Sequence, residues 1–129
     1  MTIEQVIINN LINNEEYTRK VAAFLKPEYF KDNSEKVVYE LIDDYFKKYN
    51  NLPSVEALAI ELSNKSIDQN TFNACKNVLQ SIETDDQSEL NWLLDKTEKF
   101  CQEKAVYNAI FESLSILDDK KGTLSKGSI

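Results

Sequence analysis

Histidine is absent from the 129 residues. The commonest zinc ligand, the usual acid–base group near neutral pH and the middle member of a Ser-His-Asp triad are therefore missing. Only two Gly and two Pro occur, which argues against a turn-rich β protein and for helices joined by short connections. The two cysteines, Cys75 and Cys101, both fall on apolar helical stripes. They read as small core hydrophobes in a reducing cytosol rather than as a disulfide or a redox pair. No apolar run approaches the ~18 residues of a membrane span, so a cytoplasmic location with no membrane partner is expected. Neither glycine stands in a G-x-x-x-x-G-K-[ST] context, so no nucleotide cofactor is expected on this chain. Basic residues are outnumbered 15 to 22, for a net charge of −7. That disfavours a direct grip on DNA, which needs a basic patch to displace counterions.

What the chain does have is apolar residues at helical spacing, 42% of the total, enough for one core. The longest stretch without Gly or Pro on which this pattern holds is Glu89 to Leu117. Its length predicts a rod of about 40 Å, with Ser88 expected to cap it. At about 100° per residue, its first half gathers Leu90, Leu93, Leu94, Thr97, Phe100 and Cys101 into one narrow stripe. Its second half differs. There Ala105, Val106, Tyr107, Ala109, Ile110, Phe111, Leu114, Ile116 and Leu117 wrap most of the circumference. A helix apolar nearly all round has to be covered on more than one side.

The remainder predicts five shorter helices. Thr2 caps a first one carrying Ile3, Val6, Ile7, Ile8, Leu11 and Ile12. A second starts near Glu15, with Tyr17, Val21, Phe24 and Leu25 expected to face inward. Pro27 forces a turn, after which Tyr29 and Phe30 are expected to plug the first two helices. Asn33 or Ser34 starts a third helix bearing Val37, Val38, Leu41, Ile42, Tyr45, Phe46 and Tyr49. Ser54, directly after Pro53, caps a fourth, and a fifth runs from about Asp68 to Ile82. The expected architecture is all-α: a helical head over 1–87, a long helix over 88–117 that packs on the head and then projects, and a loop over 118–129.

Chemistry-bearing residues are sparse. Asp43-Asp44, Asp85-Asp86 and Asp118-Asp119 are adjacent pairs, which point about 100° apart on a helix and suit surface charge or capping better than a magnesium site. Lys120, Lys121 and Lys126 form a small basic tail, adequately explained by the helix dipole and solubility. No catalytic or metal-binding residue is assigned. The candidate sites are instead contact surfaces. Trp92, the one aromatic on the polar side of the long helix, either packs against a head loop or anchors a protein contact. Tyr107, Phe111 and Leu114 suit the buried seam of a helical hairpin. Val106, Ile110 and Leu117 form a second face, read as an oligomer interface against packing within the same chain.

Four stretches carry a resemblance: Leu52-Pro53-Ser54-Val55-Glu56-Ala57-Leu58, Lys96-Thr97-Glu98-Lys99-Phe100, Gln102 to Ala109, and the turn Lys26-Pro27-Glu28-Tyr29-Phe30. With the order of helices, they make the chain similar to the N-terminal domain of DnaB-like replicative DNA helicases, most closely the branch found in T4-like phages. The resemblance implies a head followed by an antiparallel helical hairpin, with Val106 to Leu117 in the first arm and the second arm expected beyond Ile129. It also implies that hairpins of two subunits pack together and that paired subunits form a ring or collar around the DNA path. Primase and helicase loader would engage that collar, so contact with DNA would be indirect. ATP and magnesium would belong to a RecA-like domain elsewhere in the protein, in the cytoplasm of a host cell if phage-encoded. The alternatives are a free-standing helical adaptor, of the loader or accessory type, and a small all-helical enzyme using paired carboxylates such as Glu40 with Asp43 or Asp44.

Overall fold

The computed structural model of the chain describes residues 1–85 and 88–127, of which 118–127 are described as backbone alone. Six α-helices and one short 3-10 turn follow in order, with no strand among the described residues: α1 Ile3–Asn13, α2 Glu15–Val21, the turn Pro27–Tyr29, α3 Asn33–Tyr49, α4 Val55–Ser63, α5 Gln69–Ser81 and α6 Leu90–Gly127.

Local chemistry sets most of the boundaries. Thr2 and Gln5 form a reciprocal capping box on α1, the Thr2 hydroxyl accepting from the Gln5 amide at 3.2 Å and the Gln5 side chain from the Thr2 amide at 3.0 Å. Asn14 is the whole connection between α1 and α2. Its N–H donates to the Asn10 carbonyl and closes α1, while its side chain accepts from the Tyr17 amide and opens α2. The Asp32 carboxylate caps α3 through the Ser34 and Glu35 amides and the Ser34 hydroxyl. These donors hold its pKa below the usual carboxylate value, the Ser34 hydroxyl first. Asn50 ends α3 in the left-handed region at φ 52°, where an Asn side chain is tolerated. Arg19 of α2 donates to both the Asn50 side chain and its carbonyl, and lies over the Phe46 ring at 5.1 Å. Ser54 and Asp68 cap α4 and α5.

In the head α3 packs against α1, α4 and α5, α1 also packs against α2, and α4 against α5. Ile7, Ile8, Tyr17, Val21, Val38, Ile42, Leu58 and Cys75 are buried at its centre. Burial raises the pKa of the Cys75 thiol, and its S–H donates weakly to the Ser34 carbonyl at 3.8 Å. α6 joins this core through α1, α2 and the 3-10 turn. Asn9 and Asn13 of α1 hold the backbone of Glu83, so the segment leading toward α6 is pinned from both its N–H and its carbonyl.

Three expectations are corrected. Phe24 does not face inward: α2 ends at Val21, the chain closes with a tight Phe24 N–H to Val21 carbonyl bond at 3.1 Å, and the ring emerges 36% exposed. Phe30 does plug the core, but against α3 and α6 rather than the first two helices. It stacks on Tyr39 at 5.1 Å and meets Phe100 at 5.9 Å. The loop expected over 118–129 is helical as far as Gly127. One Gly costs a helix interior only about 1 kcal/mol, far less than a proline, and neighbouring Asp and Lys do not forbid the continuation. Residues 128–129 lie outside the described residues.

Two measurable consequences follow from this packing. Phe100→Ala removes the ring that joins α6 to Phe30, and should lower unfolding stability by about 3–5 kcal/mol in urea titrations. Glu35, partly buried on the first turn of α3, is pushed up from the ordinary 4.5 to about 6 by burial, with repulsion from Asp32 and Glu4 adding to it. The folded chain thus holds this proton more tightly than the unfolded one. The contribution is complete below pH 4.5 and lost as pH rises through about 6. The thermal midpoint of the wild type should therefore fall relative to Glu35→Gln over that window; parallel curves would refute the assignment.

Candidate protein-protein interface

α6 begins on a carboxylate. Glu89 accepts from the Asn91 amide at 3.0 Å and from the Trp92 amide at 2.8 Å, and its own carbonyl takes the Leu93 N–H. The cap expected at Ser88 is therefore supplied by Glu89, one residue later. The two amides lower the Glu89 pKa, that of Trp92 first, as a helix N-terminus does for an anion.

From there one stripe of α6 is committed to the head. Leu93 and Thr97 are wholly buried, Phe100 and Cys101 nearly so, and Leu90 and Leu94 pack at the edge. Thr97 donates its hydroxyl to the Leu93 carbonyl at 2.7 Å. Its oxygen is therefore left to accept, and the Tyr17 phenol 2.7 Å away is the donor. Burial is the main cause that pushes this phenol well above its ordinary pKa, so it remains a donor throughout the physiological range. Burial also pushes the Cys101 thiol up to about 11. A thiol held protonated is a poor nucleophile, and both cysteines are free and buried, in keeping with a packing role.

Where α6 leaves the head, the Asn108 side-chain amide donates to the Glu28 carbonyl at 3.1 Å. Beyond this latch the environment changes abruptly. Val106, Tyr107, Ile110, Phe111, Leu114, Ile116 and Leu117 are all between 54% and 64% exposed. Tyr107 and Phe111 lie near-parallel, their rings 6.4 Å apart, so they present one aromatic surface. Between Ala105 and Leu117 the only charged residue is Glu112. A contiguous apolar surface of this kind marks an interaction site rather than ordinary scatter. Trp92 is 46% exposed on the anchored half, separated from this cluster by more than three turns of helix.

The structure thus brings six of the seven candidate residues, Val106, Tyr107, Ile110, Phe111, Leu114 and Leu117, onto one projecting segment, and leaves Trp92 apart from them. Ile116 belongs with the six by exposure. Periodicity assigns Asn108 no role, and the signal that could have singled it out is its isolation in an otherwise apolar run. Of the carboxylates considered for a metal, Asp43 is engaged by Lys47 at 2.8 Å. Asp86, and the side chains of Asp118, Asp119, Lys120, Lys121 and Lys126, lie outside the described residues.

Residues 1–90 match the sequence profile of the DnaB-like helicase N terminal domain. The chain belongs to that family. The matched region ends at Leu90, where α6 starts. A second similarity reaches further. The chain is 29% identical over 112 residues to the DnaB-like replicative helicase of Enterobacteria phage T4, a match covering 87% of this chain and 23% of that protein. This DnaB-like domain therefore spans less than a quarter of the length of the helicase it resembles. Among the described residues no helix is long and apolar enough to cross a membrane.

The division of α6 has a direct stability test. Because the Ile110 side chain is exposed, Ile110→Asp should change unfolding stability by no more than about 0.5 kcal/mol, far less than Phe100→Ala, when both are titrated with urea at protein concentrations low enough to keep the chain monomeric. A reversed ranking would mean that core and interface are wrongly assigned.

Proposed function

We propose that this chain is the non-catalytic assembly and docking domain of a hexameric replicative DNA helicase. The observation that carries the reading is the abrupt change along α6, from a buried stripe to a segment exposed on nearly every side. Full burial of one such aliphatic or aromatic side chain contributes about 1.5–3 kcal/mol. Seven of them left in water represent a free energy comparable with the stability of a whole domain, about 5–15 kcal/mol. Covering them is the work of other helices in the assembly.

In this reading Tyr107, Phe111 and Leu114 meet the neighbouring arm of a helical hairpin. Val106, Ile110 and Leu117 meet a second subunit, and pairs of subunits close into a ring. The head surface and Trp92 remain available to primase and to the helicase loader. Domain-family membership and the T4 relative support a place in DNA replication. The excess of acidic residues suits a collar that recruits proteins while the DNA path is gripped elsewhere. ATP and magnesium chemistry belongs to a separate motor domain, and no residue of this chain contributes to it.

Light scattering tests the reading. The wild-type chain should show a mass above that of a monomer, rising with concentration. Ile110→Asp should return it to a monomer with an unchanged helical signal. A clean monomer at every concentration, with full amide-exchange protection at Phe111, would contradict the assembly role.

A further inference from the structure

Two adjoining cavities of about 480 and 430 Å3 run along α6 where it parts from the head, and both are lined by Tyr29 and Ala105. On the α6 side the crevice follows Glu98, Cys101, Ala105, Asn108, Ala109 and Glu112. Apart from the adjacent pair Asn108 and Ala109, these positions are three or four apart, so they form one helical stripe, about 21 Å long at 1.5 Å per residue. The opposite wall is the segment after α2, with Phe24 and Tyr29 turned toward the opening. Ala105 and Ala109 make a shallow floor on which another backbone can approach closely, and the aromatic rings make its side. The rim carries Glu28, Glu98 and Glu112 against the single cation Lys26.

We propose that this crevice is a docking groove for a basic amphipathic helix of a partner protein. A trough of about four helical turns whose apolar lining is Phe24, Tyr29, Ala105, Ala109 and Phe111 takes the apolar face of a helix, and an acidic rim on an acidic chain selects lysine and arginine at its edges. A second copy of this chain fits less well. Its own apolar stretch between Ala105 and Leu117 has Glu112 as its only charge, which would bring another carboxylate to an acidic rim. Phe111 lines the far end of the groove and also belongs to the exposed cluster at the end of α6, whereas Phe24, Tyr29, Glu98 and Ala105 line the groove and lie outside that cluster, so these four distinguish it from the assembly surface.

The probe is a fluorescein-labelled helical leucine–lysine peptide, with a leucine–glutamate peptide of the same pattern as its counterpart. Titrated into the chain, the basic peptide should shift the amide resonances of Phe24, Tyr29 and Ala105. Ala105→Trp, which fills the floor, should weaken binding about tenfold or more, and Glu98→Lys should weaken it and flatten its salt dependence. Both replaced side chains are exposed, and circular dichroism confirms that each variant retains its fold. Ile110→Asp, which removes self-association, should leave peptide affinity unchanged. Amide shifts confined to Ile110–Leu117, equal binding of the acidic peptide, or full affinity in both groove variants would overturn the proposal. So would groove shifts that follow protein concentration without peptide, which would identify a second copy as the occupant. Light scattering reports the assembly role separately, so the loss of either reading is seen on its own.

Discussion

The buried contact between Tyr17 and Thr97 is the point on which the architecture turns. A phenol and a hydroxyl taken out of water each need a partner, and an unmade bond there costs about 1–3 kcal/mol. The observed setting of α6 satisfies both: Thr97 gives its proton to the Leu93 carbonyl, and the Tyr17 phenol donates to the Thr97 oxygen. That setting directs Leu93, Phe100 and Cys101 into the head and brings Phe100 to Phe30. It also places Asn108 under the Glu28 carbonyl two turns later. Apolar packing alone tolerates small rotations of a helix; this polar pair, fixed by packing on all sides, does not.

The same helix then does two incompatible things, and charge distribution separates them. Its anchored half alternates Lys and Glu on the solvent side, as in Asp95, Lys96, Glu98, Lys99 and Glu103, which keeps that face in water. Between Asn108 and Asp118 the one charge is Glu112. A surface stripped of charge and rich in aromatic and branched side chains gains little from solvation and much from contact with its like. The chain belongs to the DnaB-like helicase N terminal domain family, whose matched region ends at Leu90, before this charge-poor segment.

Most of this was legible in the sequence, for identifiable reasons. The stripe Leu93, Thr97, Phe100, Cys101 follows from periodicity, and the caps at Thr2 and Ser54 from side chains acting within three residues. The misreadings occur where local signals compete or where the deciding partner is remote. Ser88 and Glu89 are both competent to cap, and only geometry chooses between them. Phe24 continues the apolar rhythm of α2, but the helix has already tightened into a turn. Phe30 is an aromatic three residues after a proline, and nothing near it announces Phe100 seventy residues on. Asn108 carries no local sign of its role because its acceptor lies 80 residues earlier. The crevice beside Tyr29 was invisible for the same reason, since it exists only between two segments distant in the chain.

The unbroken course of α6 has a mechanical meaning. A single helix running from Leu90 to Gly127 transmits bending poorly and rotation well, so head and tip act as the two ends of one lever. The latch at Asn108 sits near its fulcrum. From there to Leu117 is roughly 14 Å at 1.5 Å per residue, so tilting the helix by about 10° at the latch would carry the far end some 2 Å. A displacement of that size is enough to take one apolar side chain out of register with its counterpart, and interdigitated surfaces respond to it by switching rather than by yielding gradually. Whatever leans on the head near Glu28 is thereby felt at the place where one subunit would touch the next.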